Sequence, residues 1–294
     1  MALDPDQLIA DLLNLGLDAR GDDDDHHNAE AAGPAQDDAA GPAQDDAART
    51  AEDDAADERI GRPALQAQQL ITREPIAMGL VQDGRVFAFK NIENEPHTRY
   101  AEISLDAEDR LLVHSLRRRD VPADAFIVEI DELLPLRNHR VAFLELRGPL
   151  AEDNGRVFIE VIPETSMAIH FTLMCTGQLG PTYAGSHLVG VFKQNLPGQR
   201  VYVGNPGGVT LFELDMRGTT RNIASVGQVC ARSIGGRWSA QFGIITRDFH
   251  NATEYGAVFG NVTDGMDFVT AAAQRGRAIT DIRVVDCGVV LPPP

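Results

Sequence analysis

The first 58 residues hold 18 acidic and two basic side chains, so −16 of the formal net charge of −18 sits in about one fifth of the 294-residue chain. The segment runs through Asp22-Asp23-Asp24-Asp25-His26-His27 and a tandem octapeptide, GPAQDDAA, at 33–40 and again at 41–48. Like charges at low hydrophobicity bury too little apolar surface to offset chain entropy. The sequence therefore predicts a disordered acidic linker over 19–75 and confines any core to the residues beyond. Ahead of the linker, residues 1–18 predict one short amphipathic helix. Leu8, Ile9, Leu12, Leu13 and Leu15 lie near helical spacing, with Asp4, Pro5 and Asp6 as start signals and Gly16 as a stop. A helix this short is marginal alone in water, so docking on another protein or on the folded body is expected.

The other 236 residues carry 26 acids against 24 bases. That near-neutrality lacks the basic face by which a nucleic-acid binder displaces counterions from phosphates. No run of about 18 uncharged apolar residues exists to span a bilayer, and the N-terminus carries acids where a signal peptide has bases. The expected setting is intracellular, cytoplasmic or nuclear, or a virion component if the source is a virus. Cys175, Cys230 and Cys287 are an odd number without zinc-ligand spacing, which reads as reduced core thiols. No cofactor and no metal site is expected: the His-Asp run reads as solvated charge, and Pro206-Gly207-Gly208 lacks the Lys-Ser/Thr of a P-loop. Only Lys90 and Lys193 among the 26 bases are lysine, a bias that GC-rich coding explains without any appeal to guanidinium chemistry.

From residue 76 the pattern turns to alternation. Asp83-Gly84 between two apolar runs at 78–92 predicts a hairpin, and 99–116 repeats the arrangement with a longer turn. With the strand-like AFIVEIDELL and an Arg117-Arg118-Arg119 turn, these make a small β-rich module over 76–138. The strands VAFLELRG and GRVFIEVI follow. A helix runs from the Pro163-Glu164-Thr165 start to Gly177, a second covers about Gly265 to Arg275, and ITDIRVVDCGVVLP reads as a closing strand. Many short strands with two helices predict a mainly β domain over 139–294, a closed barrel with helices over its ends.

Five blocks in that stretch resemble the cyclophilins in order and spacing: GRVFIEVIPETSMAIHFTLMCTG, Tyr183-Ala184-Gly185-Ser186, Ser239 to Ile244, Val258 to Met266, and Ile282 to Gly288. The resemblance covers about 139–291. It implies an eight-stranded antiparallel barrel capped by two helices, with a groove on the outer face of the sheet. The family isomerises X-Pro bonds, whose barrier is about 18–20 kcal/mol. An arginine donates toward the prolyl nitrogen beside an aromatic pocket, which is preorganised transition-state electrostatics.

Several of those parts are missing. Between Ser186 and Pro197-Gly198 the chain reads HLVGVFKQNL, with no arginine. Gly243 stands where the family has a pocket Phe, Gly256 where it has a His, and Ala231-Arg232 where it has an Ala-Asn rim; the groove Trp has no equivalent. The groove implied by the resemblance comprises Gln241, Phe242, Gly243, Ala231, Arg232, Tyr202 and Gly256. No catalytic residue is expected, with Arg200 and Lys193 as the candidate replacement donors. A frame kept around a lost constellation reads as a protein-binding or structural module, with proline-containing segments as partners and isomerase activity lost or strongly reduced. A divergent active isomerase is the alternative, and an oligomeric assembly component a third reading.

Overall fold

The computed structural model describes residues 75–134, 141–162, 165–204, 210–214, 220–222, 225–249 and 255–291, all within the compact unit Gly61–Pro294. The expected N-terminal helix, all but the last residue of the acidic linker, and Pro206-Gly207-Gly208 lie outside the described residues.

The described chain begins with helix α1 (Pro75–Gln82), then strands β1 (Val86–Lys90), β2 (Arg99–Leu105), β3 (Leu111–His114) and β4 (Phe126–Glu129), and the single turn α2 (Ile130–Leu133). After it come β5 (Val141–Arg147), β6 (Gly155–Val161), helix α3 (Ser166–Thr176), β7 (His187–Phe192), β8 (Arg200–Gly204), β9 (Thr220–Asn222), β10 (Gln228–Ile234) and β11 (Arg237–Ile245). Strand β12 (Tyr255–Asp264), helix α4 (Met266–Ala273) and β13 (Arg283–Val290) complete it.

Eight strands close a ring in the order β13-β5-β6-β12-β10-β11-β8-β7, every neighbour antiparallel, with β7 meeting β13 again through His187 and Arg283. Alternation along each strand sorts the side chains. In β5, Ala142, Leu144 and Leu146 enter the main core, while Phe143 joins Leu112 and Phe158 in a separate apolar cluster. Helix α3 is buried at nine of its eleven residues, as a helix apolar on all sides must be. Its start is capped by Thr165, whose Oγ1 accepts the Ala168 N–H at 3.1 Å, and it stops at Gly177 in the left-handed region. From α3, Phe171 meets Phe242 at 5.0 Å, Tyr183 at 5.5 Å and Phe259 at 5.3 Å. The Tyr183 hydroxyl, buried with them, donates to the Ala240 carbonyl at 2.7 Å. The mainly β, closed-barrel expectation holds, and both expected helices form.

The segment before the barrel is joined to the same sheet. Beyond Arg283 the edge of β13 turns from β7 to β3, with Gly288 opposite His114, Val289 opposite Val113 and Val290 opposite Leu112. Strands β2 and β1 continue antiparallel, and β4 adds to β1 in parallel. Val86, Ala101, Ile103, Val113 and Leu116 belong to one apolar core with the barrel interior.

One local expectation fails. Residues 78–82 are helix, so Asp83-Gly84 is the end of α1 and not the tip of a hairpin. The Asp83 N–H returns to Gly79 O and the Gly84 N–H to Val81 O, with Gly84 at φ +66°. A glycine in that region terminates a helix as readily as it makes a primed turn, and the short run Met78 to Gln82 does not distinguish the two. Trp238 stands 37 % exposed near the β10-β11 tip. Among the described residues no helix is long and apolar enough to cross a membrane.

Candidate functional site

Val201, Val203, Phe242 and Ile244 point into the core, so Arg200, Tyr202, Gln241 and Gly243 face outward from β8 and β11. Tyr202 pairs with Gly243, and a Cβ at 243 would lie 3.0 Å from the tyrosine ring and 3.3 Å from Arg200 Cδ. The bare backbone of β11 is thus the floor on which Tyr202 rests. Arg232 of β10 lies over that ring, its Cζ 4.1 Å from the centroid, and donates through Nη1 to Gln241 Oε1. On the other side Tyr202 meets Phe192 of β7 at 6.3 Å. Arg200 is 5.1 Å from the Phe192 centroid, and Lys193 is 5.6 Å from Phe192 and 4.7 Å from Phe249. The result is a ladder of cations and rings across four strands, each desolvated contact of this kind contributing about 0.5–2 kcal/mol.

Of the expected groove residues, Gln241, Gly243, Arg232 and Tyr202 meet in this ladder, with Arg200 beside them. Phe242 does not: it is fully buried among Phe171, Tyr183 and Phe259, and Ala231, its partner across β10-β11, also packs on the main core. Gly256 is opposite Arg221 in the β12-β9 ladder. Arg200 is buried, 5 % exposed, with Nη1 4.0 Å from the buried Cys230 thiol. The rim of the face is apolar and open, Phe192 at 43 % and Leu196 at 57 % exposure.

A second constellation lies where β2, β3 and β13 adjoin, and sequence reasoning missed it. Ser104 Oγ is 2.7 Å from His114 Nε2, and His114 Nδ1 is 2.9 Å from Asp286 Oδ2. Asp286 also accepts from the Cys287 N–H at 2.8 Å, from Ser115 Oγ at 3.4 Å and from Arg117 Nη2. Burial pushes the Asp286 carboxyl up, but the hydrogen bond with His114 and the neighbouring Arg117 charge outweigh it and hold the group below the usual carboxylate range. His114 and Asp286 are 172 residues apart, and no local motif links them.

Nearby, an open concavity of about 550 Å³ is lined by Arg99, Arg117, Arg118 and Arg283 with Thr182 and Gly185. Arg99 is taken by Glu95 and Arg117 by Asp286, and Arg119, just outside it, pairs with Glu102. Arg118 and Arg283 are exposed, with no salt-bridge partner among the described residues. The three-arginine run therefore splits into two anchored members and one that faces solvent. Cys175, Cys230 and Cys287 are all buried and unlinked, and burial raises the Cys175 thiol well above its ordinary value.

No family model matches the sequence, and no curated protein matches it.

Proposed function

We propose that the chain is a protein-binding module on a cyclophilin-like barrel, in which the outer face of β7, β8, β11 and β10 takes a proline-containing segment without efficient isomerisation. One observation carries this reading: Arg232, Tyr202 and Phe192 form a continuous ladder that ends in the exposed Phe192 ring. Flat rings backed by cations are a surface for the apolar face of a proline and for the carbonyls around it. The order of elements supports the cyclophilin-like reading, since α3 follows β6, α4 follows β12 and β13 closes the ring. Loss of activity is favoured by the position of Arg200. A donor to a prolyl nitrogen must stand at the surface, and this guanidinium is packed beneath Phe192.

The test is NMR on the full chain with a short X-Pro peptide, reading amide shifts and cis/trans exchange in one sample. The expected result is shifts confined to 192–193, 200–204, 232 and 241–243 with no catalysed exchange, and an affinity about tenfold weaker in Tyr202→Ala, which removes roughly 1.4 kcal/mol of stacking. Peptide-induced shifts elsewhere, or none, overturn the binding reading. Exchange at an orthodox cyclophilin's efficiency overturns the loss of activity and favours the divergent isomerase, in which Arg200, on the same face as Gln241, is the donor and Arg200→Ala abolishes turnover.

A further inference from the structure

The register of three strands builds the second constellation. Ser104 is opposite Leu112, two residues before His114 on the same face of β3, so its hydroxyl lies diagonally beside the imidazole. His114 is opposite Gly288. A Cβ at 288 would fall 2.8 Å from the Phe143 ring, and its absence lets His114 pack edge-on against Phe143, centroids 5.3 Å apart at 78°. That contact fixes the plane of the imidazole. Two residues back along β13 the unbroken alternation puts Asp286 on the same face as Gly288, with its carboxylate at His114 Nδ1.

The tautomer follows from the hydrogen bonds. Asp286 receives donors from Cys287 N–H, Ser115 and Arg117, an environment that suits only the ionised carboxylate. An ionised carboxylate accepts and does not donate, so His114 Nδ1 carries the proton it shares with Asp286. In the neutral imidazole the acceptor is then Nε2, whose lone pair is directed at Ser104 Oγ, 2.7 Å away. A serine hydroxyl on a base whose far nitrogen is held by a buried acid is the arrangement that activates a nucleophile. Ser104 and Asp286 are both partly exposed, so the relay lies close to the surface.

We infer that Ser104, His114 and Asp286 form an acyl-transfer relay whose substrate class is a carboxylic ester. Ser104 Oγ bonds to the ester carbonyl carbon as His114 Nε2 takes the hydroxyl proton. The carbon–alkoxide bond then breaks, and His114 returns that proton to the departing alcohol. Water repeats the sequence on the acyl-serine, releasing the carboxylic acid and restoring Ser104. No other reactant is consumed, and Asp286 acts as a positioning residue. The relay lies on β2, β3 and β13, outside the β7-β8-β11-β10 face, so it stands or falls independently of peptide binding there.

The experiment treats the full chain with a fluorophosphonate, which modifies hydroxyls only when a base activates them, and locates the adduct by peptide mass. The expected result is one adduct, on Ser104, absent from Ser104→Ala and from the urea-denatured wild-type chain, and formed about a hundredfold more slowly in His114→Gln. Hydrolysis of an activated acetate ester falls with it in Ser104→Ala. A folded wild-type chain that stays unmodified, an adduct on another residue, or equal modification of native and denatured chain each overturns the relay. The native-versus-denatured comparison needs no variant, so it decides the matter even if His114→Gln fails to fold.

Discussion

His170 sits in the middle of α3 with no exposed surface, and its Nε2 accepts the Leu211 N–H at 3.1 Å while its ring lies edge-on to Phe212 at 5.5 Å. Burial lowers its pKa from 6.5 to about 4, so the native chain keeps it neutral where the unfolded chain protonates it. Stability from this group is therefore fully present above pH 6.5 and is lost as pH falls toward 4, by about 3 kcal/mol in all. Urea unfolding at a series of pH values should show that slope in the wild type and a flat profile over the same window in His170→Gln, whose amide oxygen is long enough to accept from Leu211 in place of Nε2. Asp286 acts lower down: its depressed carboxyl stabilises the fold above the ordinary carboxylate value of about 3.9 and loses that contribution below it. In the sequence His170 is legible only as a histidine on a helix, because its acceptor role depends on a loop 41 residues further on. Ser104 and His114 are equally opaque, being ordinary strand residues until β13 brings Asp286 alongside.

Elements bounded by caps were the readable ones. Thr165 and Gly177 mark α3 without help from the rest of the chain, because a side-chain acceptor and a left-handed glycine are local devices. Strands β5 and β6 were equally plain from their alternation. Helix α1 was not, since Asp83-Gly84 fits both a hairpin and a helix end, and only the packing of Val81 under the sheet decides between them. The groove was half legible: alternation along β11 puts Gln241 and Gly243 on one face and Phe242 on the other, so a contiguous Gln-Phe-Gly run could not all line one surface. Gly288 offers a test of the β3-β13-β5 row. A Cβ there would come 2.0 Å from the Val113 carbonyl oxygen. Gly288→Ala must open the ladder to β3, and a loss of about 3 kcal/mol or more is expected in chemical denaturation. A loss below about 1 kcal/mol would mean that the row relaxes without cost.

The barrel and the strands before it share a core and the β13 edge, which composition and alternation could not announce. The boundary near residue 138 reads as a module border because the pattern pauses there, whereas the connection is made by β3 reaching a strand about 170 residues later. Deleting 75–134 exposes the β13 edge from Gly288 to Val290 and strips Ile103, Val113 and Leu116 from the core. The shortened chain should unfold at a lower denaturant concentration, with broader transitions, than the full chain; equal midpoints would show that the barrel is self-sufficient. The double use of β13 also has a meaning in time. It is the last in chain order of the thirteen described strands, and it both closes the eight-strand ring and anchors β3. On a ribosome, neither the ring nor the sheet ahead of it can lock until that strand emerges, so β3 waits with an unsatisfied edge while β4 to β12 are made. The chain's folding clock therefore starts with β13, and a stall before Arg283 would leave two half-built sheets open to pairing with other chains.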